Sequence, residues 1–333
     1  MMRYGIAVGG PLGALGDLAR RCEDAGFESL WIAETSRTAF VQAAIAAQAT
    51  ERIRIGTSIA LAFPRSPVIT AMAARDVAEL SGGRFVLGLG TQVKRVNQFR
   101  YATGFEHPAP KMREVIEVCR AVWDSFAGQP IDHRGRFYTV TMSPFPGAGA
   151  APGPIPVHLA AVNEHMVRLA GEVCDGFLGH PFTSARYLAE VVRPRLTEAA
   201  ARAGRDLDEV EVAQSVIVRI GDREQALAEA KLQIAFYATT RTYRGVLDLH
   251  GWGEVVDPLR EAHAAGDLVR MVGLITDEMA ETYAVVGTPE EARAQMRRFD
   301  GLADTIILNP PWAAGDEGRG GEIYGQLLET FGS

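Results

Sequence analysis

The chain has 333 residues, 47% hydrophobic and 23% charged, and its 34 basic against 41 acidic side chains leave a formal net charge of −7. That composition excludes an intrinsically disordered chain, and no apolar run approaches the roughly 20 residues of a membrane-spanning helix. The acidic balance argues against nucleic acid or an anionic membrane as partner, and the scattered Cys22, Cys119 and Cys174 make neither a disulfide framework nor a CxxC site.

From the first residues, short apolar runs alternate with helical periodicity. Tyr4 to Val8 reads as a strand, and Leu12 to Gly26 as a helix ending on a glycine at C′. Ser29 to Ala33 is again strand-like and Ala39 to Thr50 helical. Ile53 to Leu61 is β-branched and apolar, as expected of a strand covered on both faces. Pro67 opens a helix to Leu80, Arg84 to Leu89 is the fourth strand, and Met112 to Phe126 a helix. Ile131 to Met142 then alternates like a hairpin around Arg134-Gly135, and Pro144 to Pro154 is a Pro- and Gly-rich surface connection.

The rhythm resumes with Ile155 to Ala160 as strand five, Glu164 to Val173 as a helix, Gly176 to Gly179 as strand six and Ser184 to Ala203 as a helix. Val210 to Ile220 is strand seven, and Glu224 to Tyr237 begins a helical region running past residue 240. Thr288-Pro289-Glu290-Glu291 carries an N-cap, a first-turn proline and a capping glutamate. Asp304 to Leu308 is strand eight and Glu322 to Phe331 a closing helix.

Eight successive strand-plus-helix units predict an α/β fold, a single (β/α)8 TIM barrel over residues 1–333 with insertions at about 128–154 and 238–287. An open doubly wound sheet is the alternative. In a barrel the site lies at the carboxyl ends of the strands, which singles out Gly9, Glu34, Ser58 to Leu61, Gly90 to Val93, Ala160 to Asn163, His180, Gln214 and Asn309.

Several chemistries are poorly supported. Gly9 is followed two residues later by Pro11, so the opening strand lacks the dinucleotide-binding G-x-G-x-x-G. There is no HExxH and no His-x-His on the first strand, so no metal is expected. No G-x-S-x-G nucleophile elbow occurs. Of the seven histidines, His180, at the barrel mouth before Pro181, is the one to watch; the bland reading of each is a structural residue. What remains is backbone left accessible by small residues: Ile55 to Pro67, Ser81 to Thr91, and Ala160-Ala161-Val162-Asn163 before a helix whose first amides form a phosphate site.

In order and spacing these segments resemble the luciferase-like monooxygenase superfamily, the barrel family that uses FMN or coenzyme F420. The carriers are Ala25-Gly26-Phe27-Glu28-Ser29-Leu30-Trp31, Gly56-Thr57-Ser58-Ile59, Pro64-Arg65-Ser66-Pro67, Ser81 to Gly90, Ala170 to Phe177 and Val286 to Glu291. Gly90-Thr91-Gln92-Val93-Lys94 with His180-Pro181-Phe182 is similar to its F420-dependent oxidoreductase branch.

The resemblance implies a tricyclic ring against a bulge ending strand three, with a non-prolyl cis peptide at Ser58–Ile59 and Ala60 beside it. It places Gly90 and Thr91 beside the cofactor, and Ala161, Val162, Asn163, His165 and Met166 near its phosphate. It also implies Glu34 near the ring, hydride transfer between F420 and an activated C=C, C=N or carbonyl/alcohol small-molecule substrate, and a homodimer. Where sugar-phosphate dehydrogenases of the superfamily carry a histidine after the strand-two acid, this chain has Thr35, and where they carry a glutamate after strand four it has Val93. A proton donor is therefore open among Glu34, His180, Tyr237 and Tyr243. Tyr237, Tyr243 and Trp252 in or beside the second insertion would cover the substrate or form dimer surface. FMN-dependent oxygenation and a non-catalytic cofactor-binding role are the alternatives. The start, Met1-Met2-Arg3-Tyr4-Gly5, lacks a signal peptide's apolar stretch, so a cytoplasmic location is expected.

Overall fold

The structure, a computed structural model, describes residues 2–311 and 320–332 apart from Pro146 and Ala148. In chain order it opens with β1 (Arg3–Val8), α1 (Leu12–Asp24), β2 (Ser29–Ile32), α2 (Ala39–Ala49), β3 (Arg54–Thr57), β4 (Ala60–Leu61), α3 (Pro67–Leu80) and β5 (Phe85–Gly90). α4 (Lys94–Arg100), α5 (Pro108–Phe126), the hairpin β6 (Ile131–Arg134) with β7 (Thr139–Met142), β8 (Val157–Ala161), α6 (Glu164–Val173) and β9 (Gly176–Gly179) follow. α7 (Ala185–Tyr187), a π-helical turn at Leu188–Val192, α8 (Arg193–Arg202), β10 (Glu211–Ile220) and α9 (Arg223–Ala238) come next. The chain ends with α10 (Arg244–Asp248), α11 (Val256–Ala264), α12 (Leu268–Gly273), α13 (Asp277–Tyr283), β11 (Ala284–Gly287), α14 (Pro289–Met296), β12 (Thr305–Asn309) and α15 (Gly320–Phe331).

Strands β1, β2, β3, β5, β8, β9, β10 and β12 pair in parallel and close on themselves through β9–β10 and β12–β1, giving the eight-stranded barrel. Local chemistry sets the ends of its helices. α1 stops where Gly26 takes φ 81°, with the Phe27 amide donating to the Cys22 carbonyl. α14 starts on the expected box, Thr288 Oγ1 accepting from the Glu291 amide (3.3 Å) and Glu291 returning a carboxylate to the Thr288 amide (2.8 Å).

Period-two alternation sends every second strand residue into the barrel, where side chains stack in layers. The middle layer is Trp31, Val86, Leu178, Ala213 and Ile307. Trp31 fits because Gly5 and Gly56 lack side chains; a Cβ on Gly56 would lie 2.5 Å from the indole. The amino-end layer is polar. Glu211 accepts from Arg3 (3.0 Å), Arg54 (2.9 Å) and Thr305 (2.7 Å), with His158 Nε2 3.7 Å away. Despite desolvation, the Arg54 guanidinium leads in holding the Glu211 carboxyl down to about 2, while burial pushes His158 down to about 4.

Three expectations are corrected. Strand three is not continuous: it breaks at Ser58–Ile59, a cis peptide, and resumes as β4 against β5. The helical region past residue 240 is a series of short helices ending in β11, which adds to β10 (Ile217 opposite Ala284). A four-residue apolar run, Ala284–Gly287, is too short for periodicity to tell from helix. α4 lies between strand four and the helix from Met112, where the sequence pattern assigned no element. The helix expected from Ser184 contains the π turn. In the Pro/Gly connection, Pro146 and Ala148 lie outside the described residues.

Candidate active site

The rim at the carboxyl ends of the strands is floored by small residues. Ala7, Ile59 and Ala160 pack on the middle layer from above and are partly buried, and Gly9 and Gly90 flank them. The glycines have a specific use. A Cβ on Gly90 would fall on the Ile59 side chain, and one on Gly88 would fall on the Thr57 carbonyl. Without them Ile59 would have to rise out of the floor. Thr57 locks the two strands together, donating to the Gly88 carbonyl (2.7 Å) and accepting from its amide (2.9 Å). Gly90 lies under the Ile59 side chain and Ala60 is buried, so Ser58 and Ile59 are the partly exposed members of this arc.

Glu34 is buried at the edge of this floor, and its carboxylate is fully engaged. It accepts from the Leu61 amide (2.9 Å) and forms a two-point ion pair with Arg65, whose guanidinium lies over Phe40 (5.5 Å to the ring centre). The Glu34 amide donates to the Ile59 carbonyl (3.1 Å). Glu34 thus ties β2 to the bulge from both ends. Both carboxylate oxygens are thereby committed to main-chain and guanidinium donors. Arg65 stood in the sequence motif with no role attached; the signal was an arginine just past the bulge, one strand over from a rim acid.

Thr91 continues the floor, its carbonyl held by Asn97 Nδ2 (2.7 Å). β5 pairs with β8, which brings Ala161 and Val162 next to it. Asn163 caps α6 through its backbone: the Met166 and Val167 amides donate to its carbonyl, and no intrahelical bond engages the Glu164 and His165 amides. Asn163 and His165 are exposed, Met166 is partly buried, and Glu164 is answered by Arg168 (2.7 Å). The residues Ser58 to Ala60, Gly90, Thr91 and Ala161 to Met166 therefore form one arc.

His180 comes next, just past the end of β9, the neighbour of β8 (Ala161 opposite Gly179), and two residues past the inward-facing Leu178. Its Nδ1 accepts from the Phe182 amide (3.0 Å), which places the proton of the neutral ring on Nε2. Nε2 has no hydrogen-bond partner among the described residues. The rings of Tyr237 and Tyr243 stand 4.7 and 4.5 Å from the imidazole, and desolvation among them pushes its pKa down to about 3. His180 is a neutral donor at any ordinary pH. Gln214, fully buried, donates to the His180 carbonyl (3.0 Å) and fixes the main chain that carries it.

Behind Tyr237 lies a buried polar chain: Gln233 Nε2 donates to the Tyr237 hydroxyl (3.0 Å) and to Asn309 Oδ1 (3.0 Å), while Arg219 donates to Gln233. Burial lowers Arg219 to about 10, which leaves it charged. Trp252 does not join His180; it stacks on His250 (5.0 Å). Among the described residues no group of three His, Cys, Asp or Glu is placed to hold a metal ion. A separate cavity of about 350 Å³, lined by Arg3, Asp175, Glu209 and Glu211, lies at the barrel's amino end, away from the rim that holds His180.

Comparison with known proteins agrees with this fold. The luciferase-like monooxygenase family signature matches residues 3–305. An uncharacterized protein of Mycobacterium tuberculosis is 40% identical, covering 87% of this chain and 88% of its own length. A 5,10-methylenetetrahydromethanopterin reductase of Archaeoglobus fulgidus is 30% identical over 86% of each chain. Among solved structures, the coenzyme F420-dependent tetrahydromethanopterin reductase of Methanopyrus kandleri superposes with a TM-score of 0.80, at 25% identity and 92% coverage of both chains.

Proposed function

The chain belongs to the luciferase-like monooxygenase family, and from that membership we propose that it is an F420-dependent oxidoreductase acting on a small molecule with an activated C=C, C=N or carbonyl/alcohol group. The observation that supports the reading is the cis Ser58–Ile59 bulge, with Ile59 seated on Gly90, on the same barrel rim as the His180 imidazole N–H. Two relatives reduce a pterin-type substrate by name, one of them with F420, which favours the deazaflavin over FMN.

When bound, the deazaflavin supplies a two-electron hydride carrier that reacts poorly with oxygen. The floor of Ser58, Ile59, Ala60, Gly90 and Thr91 supports the ring, and the free amides opening α6, with Ala161, Val162, Asn163, His165 and Met166 around them, take the phosphate. His180 Nε2–H donates a hydrogen bond to the substrate's carbonyl oxygen or imine nitrogen and stabilises the charge that develops there. It acts as a donor without releasing its proton, so the anion left by a reduction takes its proton from bulk water as the product leaves the site. Tyr237 and Tyr243 keep solvent from that bond and give the substrate an aromatic wall. Glu34, held by Arg65, positions the floor. The chain works in the cytoplasm, as a homodimer.

Titration of the purified protein with F420 and with FMN, followed by ring fluorescence, tests the reading. Saturable binding of F420 with weaker or no binding of FMN is expected. Tight FMN binding with oxygen-dependent NADH consumption would replace this function with oxygenation. Binding of F420 with no turnover of enones, imines or alcohols would leave a cofactor-binding protein.

A further inference from the structure

A cavity of about 440 Å³ lies where the start of α7, the turn after α10, α13 and the turn after α14 meet, and its lining includes Ser184, Arg186, His250, Glu278, Thr282 and Arg298. All its lining residues belong to helices and loops and none to a barrel strand, so it is distinct from the rim. Its volume suits a small molecule.

Arg298 is the unusual member. Its guanidinium donates to two main-chain carbonyls, Glu281 (2.6 Å) and Ala284 (2.9 Å), and its buried Nε has no hydrogen-bond partner among the described residues. No carboxylate pairs with it among those residues, and burial lowers it to about 10, which leaves it charged. The nearby ions are answered elsewhere: Arg186 by Glu190, and Glu281 by Arg223. Glu278 is exposed and pairs with no cation among the described residues. The Thr282 hydroxyl and His250 Nδ1 also lack hydrogen-bond partners there. A guanidinium taken out of water without a counter-ion is costly, and an anion seated in the cavity would offset that cost.

The same cavity touches the segment that carries His180. Ser184 Oγ lies 2.8 Å from His250 Nε2 and accepts from the Tyr187 amide (3.0 Å). Phe182, Thr183 and Ser184 are buried, and the Phe182 amide is the donor to His180 Nδ1. The Phe182 ring packs on Tyr283 (4.5 Å), which meets His250 edge-on (5.6 Å), and Trp252 stacks on His250. Movement of Ser184 or His250 therefore reaches His180 through packed chain. We propose that this cavity binds a small monocarboxylate against Arg298 and that its occupancy is felt at His180 through Ser184 and Phe182. One uncompensated positive charge matches one carboxylate, and the unpaired Glu278 disfavours doubly charged anions. The site is independent of which cofactor occupies the rim.

Acetate is the probe, with chloride at equal ionic strength as the control, read on the full chain by Trp252 fluorescence and by unfolding temperature. The native protein should show a saturable fluorescence change and a raised unfolding temperature that chloride does not give. Trp252→Phe should lose the fluorescence signal and keep the thermal one. Arg298→Gln should bind acetate about 10-fold more weakly. Should that variant fail to fold, Thr282→Glu, which puts a carboxylate of the chain's own into the cavity, should abolish acetate binding. Acetate affinity unchanged in either folded variant overturns the proposal, as does the lack of any saturable response in the native protein up to about 0.1 M acetate. Sulfate binding as tightly as acetate would reveal an unselective anion patch and overturn the carboxylate assignment. For the link, saturating acetate should move the ¹⁵N imidazole resonance of His180, assigned by its loss in His180→Gln, in the native protein and not in Thr282→Glu. A His180 resonance that stays in place while Trp252 responds overturns the coupling.

Discussion

His180 changes meaning between sequence and structure. As a rim histidine it is a candidate acid; with Nδ1 accepting from the Phe182 amide and two tyrosines excluding water, it is a fixed neutral donor. His180→Gln, which can present an N–H from a similar position, should keep much of the turnover, whereas His180→Leu should lower kcat about 100-fold with KM little changed. Because the ring stays neutral down to about 3, the pH profile of the native enzyme should show no inflection near 6.5 from this group. Glu34 and Arg65 make a second residue-scale case. Arg65→Ala strands a buried carboxylate and should cost about 3 kcal/mol in urea denaturation. Glu34→Gln/Arg65→Met removes both charges and should recover most of that stability while weakening ring binding, since the Leu61 amide loses its carboxylate partner.

At the scale of elements, the floor depends on how closely β4 and β5 approach. A methyl at Gly90 meets Ile59, so Gly90→Ala should destabilise the protein by about 1–3 kcal/mol and weaken cofactor binding. Gly90→Ala with Ile59→Ala makes room for that methyl; a double-mutant cycle on stability should show a coupling of about 1 kcal/mol or more. Additive effects would mean that the Gly90 clash is relieved elsewhere. Elements also explain which features could be read from the chain. Long apolar periodicity announced α1, α3, α5 and β10, and cap chemistry announced α14. The seven residues of α4 and the four of β11 carry too little pattern, and both owe their conformation to what they lie against: Asn97 under one, β10 beside the other.

For the whole molecule, the barrel gathers Glu211, Arg3, Arg54 and His158 at its amino end, while His180 stands at the carboxyl end. The sign of the pH dependence follows. His158 and His180 have folded pKa values of about 4 and 3, below the unfolded 6.5, so the unfolded chain takes up more protons as pH falls below about 6.5 and stability declines from there. Glu211, at about 2 against 4.5, adds a second loss as pH falls below about 4.5. Urea midpoints measured from neutral pH down to about 3.5 should fall throughout, and His158→Gln should flatten the upper part of the curve. A midpoint constant between about 6.5 and 5 would mean that neither histidine is held neutral by the fold.

Taken alone, the sequence determined the eight-unit alternation, the helix ends set by Gly26, Pro67 and Thr288, the small residues of the floor, and the family resemblance. These are local properties, carried by spacing and by backbone preferences within a few residues. It could name Glu34 and His180 but could not say what they do, because that depends on partners far along the chain: Arg65 is 31 residues from Glu34, and Tyr243 is 63 from His180. Only closure of the barrel brought those groups together, so only the tertiary structure made one a brace and the other a neutral donor.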